Sequence, residues 1–437
     1  MSVKKGRRKE TVAEAGDIDP QSIEGEHDSI RAANIGLVLD TLRRHGPISR
    51  VEISQRLDLS RSTVTEITAR LMQHELIGVA KGVAAAEPGN GARGRPRVGL
   101  SLNPKAAYAV GVRVAISQIT VSVTDFVCDV IGSSELHFRS SRQAPEVVAD
   151  VVEDAIRRAV DDCGLSLEDV SAVCAGVPGV VDSVSGICYW SPAFSRTPVP
   201  FAALLSDRLG IPVVIENHTT PLTTAEQMFG SAQGVDNCAV VTLGHGVGLG
   251  LILDGKIYRG AHGFASELSH TKISEGGPLC ECGQHGCVEA HVGFLALLRN
   301  AGEAITGPVG DDPRVRQRKV LELIDQAHAG DPAVRALFYN FGTDVGRALA
   351  NLSGIIDPSR IIFSGPNIAA ADIWLEPMQA ALFANARAPM EGRVDFVLAD
   401  RDDSFWARGA AALVLHQLYR SPVLLKAAKT SAARSAP

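Results

Sequence analysis

One histidine and three cysteines stand close together past the middle of this 437-residue chain: His270, Cys280, Cys282 and Cys287. Four donors of this softness within 18 residues have the make-up of a tetrahedral zinc site, where imidazole nitrogen and thiolate sulfur fill every position. Gly276, Gly277, Gly283 and Gly286 let the loop fold back around an ion. A site whose four positions are all protein is closed, so a structural Zn2+ rather than a catalytic one is expected. The bland alternative is three unliganded cysteines. Pairing two of them would leave an odd thiol, and the basic start MSVKKGRRKE runs into no apolar segment of the signal-peptide kind.

The cluster sits inside a longer pattern. Gly244, Gly246, Gly248 and Gly250 alternate, the run DGKIYRGAHGFASELSH follows, and the cysteines fall in CxCGxxGCxE ending at Glu289. This ordered set resembles the ROK family (repressors, open reading frames and sugar kinases), and the resemblance extends over about residues 30–418. It implies an α/β chain: an N-terminal winged helix-turn-helix followed by a two-lobed, actin-like (ribonuclease-H-like) body of the sugar-kinase type. It also implies a sugar site. Glu267 and His270 match the family's E-x-G-H, with Ser269 in place of the glycine, and Glu289 follows the last cysteine. Gly176 to Asp182 match the G-x-P-G-x-V-D turn, which brings Gly179 to the sugar. The apolar run Ile211–Ile215 ends in Glu216-Asn217-His218, placing Asn217 and His218 beyond the carboxyl end of a strand, where open α/β sheets bind ligands. The sugar-binding set is therefore Gly179, Asn217, His218, Glu267, His270 and Glu289, with His270 giving one ring nitrogen to the metal and the other to the sugar. Each carboxylate can accept from two neighbouring hydroxyls.

Two departures from the kinase pattern bear on activity. The family's D-x-G-G-T phosphate loop is replaced by Arg113-Val114-Ala115-Ile116-Ser117, with neither the acid nor the glycines that let a phosphate approach backbone N–H groups. His218 stands where the kinases carry the aspartate that takes the sugar's proton, and His245 stands where their second phosphate loop often has threonine. The body is thus expected to sense a sugar without phosphorylating it. The alternative is an active ATP-dependent sugar kinase joined to a DNA-binding domain, and a third reading is a body that has lost its ligand and answers to a protein partner.

Upstream, Ile35, Val38, Leu39 and Leu42 share a helical face that stops at His45-Gly46-Pro47. Ser49-x-x-Glu52 is a capping box for a second helix, and Asp58-Leu59-Ser60 turns into a third, in which Val64, Ile67 and Leu71 face inward. Two helices joined by a tight turn, the second opening on small polar residues, predict a helix-turn-helix. Its DNA-facing candidates are Ser60, Arg61, Ser62, Thr63, Thr65, Glu66 and Arg70. Two strand-like runs flank Gly91-Ala92-Arg93-Gly94-Arg95-Pro96-Arg97, so a wing is expected whose Arg93, Arg95 and Arg97 enter a minor groove. A plain helical bundle with a basic linker is the bland counterpart.

Charge follows the same division. Residues 29–100 hold 11 Lys and Arg against 6 Asp and Glu, although the whole chain is at −6. A basic head on an acidic body points to a polyanion partner for the head alone. No uncharged apolar run is long enough to cross a membrane. Eight cysteines without a secretory signal fit a cytoplasmic protein. The expected domains are a disordered tail at 1–28, the winged helix-turn-helix at 29–103, a first lobe at 104–220, a second lobe with the zinc site at 221–420 whose last helix packs back on the first lobe, and a loose tail at 421–437. The expected function is a sugar-responsive transcriptional regulator of the repressor kind, with operator DNA and a sugar or sugar derivative as partners. A homodimer or homotetramer matches two-fold operators.

Overall fold

The computed structural model describes residues 20–84, 98–139, 141–387 and 389–420. The chain divides into two compact units. One holds the described residues up to Leu102 with the end of the last helix, and the other is Asn103–Gln417.

The first unit contains α1 (Pro20–His45), α2 (Arg50–Leu57) and α3 (Arg61–Gln73), followed by a hairpin of β1 (Ile77–Ala84) and β2 (Val98–Leu102). α1 begins at Pro20, inside the 1–28 segment expected to be a tail. Apolar periodicity is absent before Ile30, so pattern alone does not find this start; extending a helix already nucleated fixes one residue per hydrogen bond gained. The capping box on α2 is complete. The Ser49 N–H donates to Glu52 Oε2 at 2.8 Å and the Glu52 N–H donates to Ser49 Oγ at 3.3 Å. Ser60 caps α3 by accepting from the Thr63 N–H at 3.1 Å. Val38, Leu39, Leu42, Ile53, Val64, Ile67 and Leu71 are buried, and the three helices touch pairwise. β1 and β2 pair antiparallel, Ile77 opposite Leu102. Ile48 and Leu100 exchange two backbone hydrogen bonds, tying the hairpin to the turn between α1 and α2. Arg93, Arg95 and Arg97 of the expected wing tip lie outside the described residues.

The second unit carries the same sheet twice. β3 (Tyr108–Val114), β4 (Gln118–Thr124) and β5 (Val130–His137) form an antiparallel meander. β6 (Val170–Val177) pairs parallel to β3, a short hairpin of β7 (Val180–Asp182) and β8 (Ile187–Trp190) intervenes, and β9 (Val213–Asn217) pairs parallel to β6. The order is β5-β4-β3-β6-β9. The second sheet repeats it: β10 (Cys238–Leu243), β11 (Val247–Leu253) and β12 (Lys256–Tyr258) form the meander, and β13 (Arg360–Ser364) and β14 (Asp395–Leu398) follow in the order β12-β11-β10-β13-β14. Every residue of β10 is buried, as befits a central strand covered on both faces.

Helices cover both sheets. α4 (Pro145–Asp162) joins β5 to β6, α5 (Phe201–Leu209) precedes β9, and α6 (Thr219–Phe229) leads into the second sheet. α7 (Val288–Val292), α8 (Phe294–Ala301), α9 (Glu303–Thr306), α10 (Pro313–His328) and α11 (Pro332–Ile356) lie between β12 and β13. α12 (Ala371–Asn385) precedes β14, and α13 (Asp403–Arg420) closes the unit. α4 buries Val148, Val152, Ala155, Ile156 and Ala159, an i, i+4 stripe against β4 and β5. α13 crosses the first sheet at Gly111, where an added Cβ would run into the Ala407 carbonyl oxygen and come within 2.5 Å of the Ala411 nitrogen. The last helix thus lies on β3 because β3 has no side chain at that point.

Candidate functional site

The exposed face of α3 carries Arg61, Ser62, Thr65, Glu66 and Arg70, with Thr63 half-buried. Several of these side chains are already engaged. The Ser60 hydroxyl lies 2.7 Å from that of Thr63 and 2.8 Å from that of Ser62, the Thr65 hydroxyl donates to the Arg61 carbonyl at 2.7 Å, and Glu66 accepts from Arg31 of α1. Ser60 and Thr63 therefore shape the start of α3, while the long side chains of Arg61 and Arg70 extend from it.

In the second unit the four candidate metal ligands converge. One ligand atom from each of His270, Cys280, Cys282 and Cys287 lies within 4.8 Å of the others. Cys280 Sγ is 3.7 Å from His270 Nδ1, and Cys282 Sγ is 3.7 Å from Cys287 Sγ. Tetrahedral coordination at a metal–sulfur distance of about 2.3 Å places sulfurs about 3.8 Å apart, so the spacing suits a metal ion. A tight turn makes this possible. The Gly283 N–H donates to the Cys280 carbonyl and the Gly286 N–H to the Pro278 carbonyl, with both glycines left-handed. All three cysteines are free of disulfides, and the Lys272 ammonium donates to Cys287 Sγ at 2.8 Å.

A cleft of about 1390 Å³ opens beyond the carboxyl ends of β3, β6, β9, β10 and β13. Gly179, Asn217, His218, Glu267, His270 and Glu289 all line it. Asn217 is locked by two hydrogen bonds: its Nδ2 donates to the Gly179 carbonyl at 2.7 Å and its Oδ1 accepts from the Thr219 N–H at 2.8 Å. One amide hydrogen and one lone pair remain for a ligand. Gly179 has φ +116°, and a Cβ there would collide with the Trp190 carbonyl oxygen. Burial pushes the Glu267 carboxyl up to about 6. Burial, with Glu281 adding to it, pushes Glu289 up to about 7. His270 turns Nδ1 toward Cys280 and also lines the cleft, so one imidazole borders both places.

The cleft is also lined by a group of side chains that sequence reasoning did not connect. Arg113, at the end of β3, pairs with Asp403 of α13, and its guanidinium lies 3.9 Å over the Trp406 ring. Trp406 stacks on His218, centroids 5.7 Å apart and planes 4° apart. Burial lowers Arg113 to about 10, and burial together with Arg113 pushes His218 down to about 3. His218 Nδ1 is buried without a hydrogen-bond partner, and so is His245 Nε2 across the cleft. Burial, then Arg316, pushes His245 down to about 4. Where a kinase needs a carboxylate base and an open phosphate loop, this chain has a neutral, weakly basic imidazole and a capped guanidinium. Asp403 and Trp406 carry no local motif; only the return of α13 to β3 brings them here. Glu216 and Arg259 were missed for the same reason: Arg259 Nε donates to Glu216 Oε1 at 2.6 Å, joining β9 to the loop after β12.

Comparison with known proteins agrees with this geometry. The sequence model of the ROK family matches residues 113–417, and that of the MarR family matches residues 36–81. The xylose repressor of Bacillus subtilis (strain 168) is 25% identical over 88% of this chain and 96% of its own length. A crystal structure described as a ROK family transcriptional regulator, homolog of the E. coli Mlc protein, superposes with a TM-score of 0.76 at 24% identity, covering 92% of this chain and 99% of that one. A ROK family glucokinase from Streptomyces griseus, in complex with glucose and AMPPNP, superposes with a TM-score of 0.60 at 26% identity, covering 70% of this chain and 99% of the glucokinase.

Proposed function

This chain belongs to the ROK family, and we propose that it is a sugar-responsive repressor of transcription whose kinase-like body binds its effector without phosphorylating it. The observation that supports this reading is the Asp403–Arg113–Trp406–His218 stack, which stands where the kinases of the family carry their phosphate loop and base. The relative named a xylose repressor spans both units, whereas the glucokinase matches 70% of the chain. Gly179, Asn217, His218, Glu267, His270 and Glu289 would hold the sugar hydroxyls. His270, Cys280, Cys282 and Cys287 would hold a structural Zn2+, which would fix the ring that His270 presents to the sugar.

In the first unit, α3 would enter the major groove, with Arg61 and Arg70 on phosphates or base edges beside Ser60, Ser62, Thr63, Thr65 and Glu66. Arg93, Arg95 and Arg97 would follow the minor groove. The domains proposed are a winged helix-turn-helix to about residue 103, a first lobe to about 220 and a second lobe to about 420. A cytoplasmic homodimer or homotetramer would match a two-fold operator; no described helix is long and apolar enough to cross a membrane. The sugar would alter operator affinity only in proportion to its preference for one of two arrangements of the body.

A thermal-shift screen of the metal-loaded protein against sugars, amino sugars and their phosphates tests the effector. A ligand at about 100 times its Kd adds about 2.7 kcal/mol of stability. The same ligand should change operator affinity, and Arg95→Ala and Arg97→Ala should each flatten the salt dependence of DNA binding by about one phosphate contact. Phosphate transfer from ATP to any sugar of the panel would overturn the reading in favour of a kinase.

A further inference from the structure

The sugar-binding set proposed for the cleft is wholly polar, yet a cyclic sugar is polar only at its rim. Its two faces are built of C–H groups, and an aromatic ring laid against such a face gains apolar burial that hydroxyl partners cannot supply. Of the three tryptophans, one offers its ring for this; Tyr258, at the end of β12, also lines the cleft. Trp190, the last residue of β8, lines the cleft and is 39% exposed, whereas Trp374 and Trp406 are at 0% and 4%. Exposing an indole costs apolar hydration, and here the exposed indole lines the same cleft as Glu267 and Glu289.

Its placement is built rather than incidental. Trp190 pairs with Val180 across the β7–β8 hairpin, and its carbonyl oxygen lies against Gly179 so closely that a Cβ there would not fit. Gly179 is in turn bonded to Asn217. The indole meets the His270 imidazole edge-on, centroids 6.3 Å apart and planes at 89°. Alternation along β8 sends the neighbouring Tyr189 the other way, where it packs edge-on against Phe264 at 5.5 Å. One hairpin thus fixes the indole relative to Gly179, Asn217 and His270 together.

We propose that Trp190 stacks on the C–H face of a pyranose whose rim hydroxyls are held by Asn217, Glu267 and His270, and that it selects cyclic sugars over open-chain polyols carrying the same hydroxyls. This rests on the sugar-sensing reading above and names the ligand class within it. Acyclic alditols satisfy the rim groups but present no rigid face.

Trp406 lines the same cleft, so the Trp190 signal is the part of the emission change that Trp190→Phe removes. The full-length, metal-loaded protein is titrated with D-xylose, D-glucose and N-acetyl-D-glucosamine, and with xylitol and D-glucitol as acyclic counterparts, following melting temperature and tryptophan emission together. The expected result is that a pyranose which raises the melting temperature also moves the emission to shorter wavelength, while its alditol does neither. Trp190→Phe should keep the affinity within about threefold, and Trp190→Ala should weaken it by about tenfold. A sugar that stabilises the protein but leaves the emission unchanged, or binds Trp190→Phe and Trp190→Ala equally well, overturns the stacking and leaves the sugar-sensing reading intact. Equal binding of alditol and pyranose also overturns it. A panel in which nothing raises the melting temperature overturns both.

Discussion

Acidifying the protein from about pH 7.5 to about pH 5 should remove about 2 kcal/mol of stability through His218 alone. The ordinary value of its imidazole is 6.5, and burial first, Arg113 second, push it down to about 3 in the folded protein. Its ring lies against Trp406, which carries Arg113 on its own ring with Asp403 behind, and its Nδ1 has no hydrogen-bond partner to welcome a proton. The folded state therefore keeps the ring neutral where the unfolded chain already binds a proton. That contribution is complete above the unfolded value and is lost as the pH falls from about 6.5 toward about 3. At 1.36 kcal/mol per unit, one and a half units below the unfolded value amounts to about 2 kcal/mol. Other groups titrate in the same range, so the assay is a difference. Urea unfolding of the wild type and of His218→Gln is measured at both pH values, and the gap between them should shift by about 2 kcal/mol against the wild type on acidification. A gap that does not move with pH, or a His218 ring resonance that titrates near 6.5 in the folded protein, refutes the reasoning. The outcome bears on function, because a ring that resists a proton down to about pH 3 is a poor acceptor for the proton of a sugar hydroxyl.

Two further outcomes follow from the same geometry. Cys280→Ser leaves three of the four converging donors; bound metal should fall from about one ion per chain to a small fraction of that by elemental analysis, and a chelator should lower the melting temperature of the wild type but not of the variant. Gly111→Ala should destabilise the body by about 3 kcal/mol, the upper end of overpacking costs, because both atoms in the way are backbone of α13; an unfolding free energy within about 0.5 kcal/mol of wild type would mean that α13 does not lie on β3 as described.

Much of this protein is legible in order along the chain, because the signals are local. The Ser49–Glu52 capping box, the apolar spacing of Val64, Ile67 and Leu71, and the turns of the cysteine loop each act over a few residues, and each appears in the structure with its hydrogen bonds. A strand ending at Asn217, with His218 next, is readable as an edge of the cleft for the same reason: short-range pattern places the strand, and α/β topology places its end. The onset of α1 at Pro20 escaped because no apolar period marks residues before 30. The partners of Arg113 and His218 were beyond local reading altogether. Arg113 and His218 are visible as departures from a kinase, but the Asp403 and Trp406 that pair and stack with them are carried back to β3 by a helix near the other end of the chain. Trp190 is equally silent in the sequence, one aromatic in a short hairpin, until the fold turns its ring into the cleft beside His270. Hydrogen-bonded turns and helical faces are set by neighbours a few residues apart, whereas burial, stacking and the pKa of a ring are set by whatever the tertiary structure brings alongside, and nothing in local sequence encodes those partners.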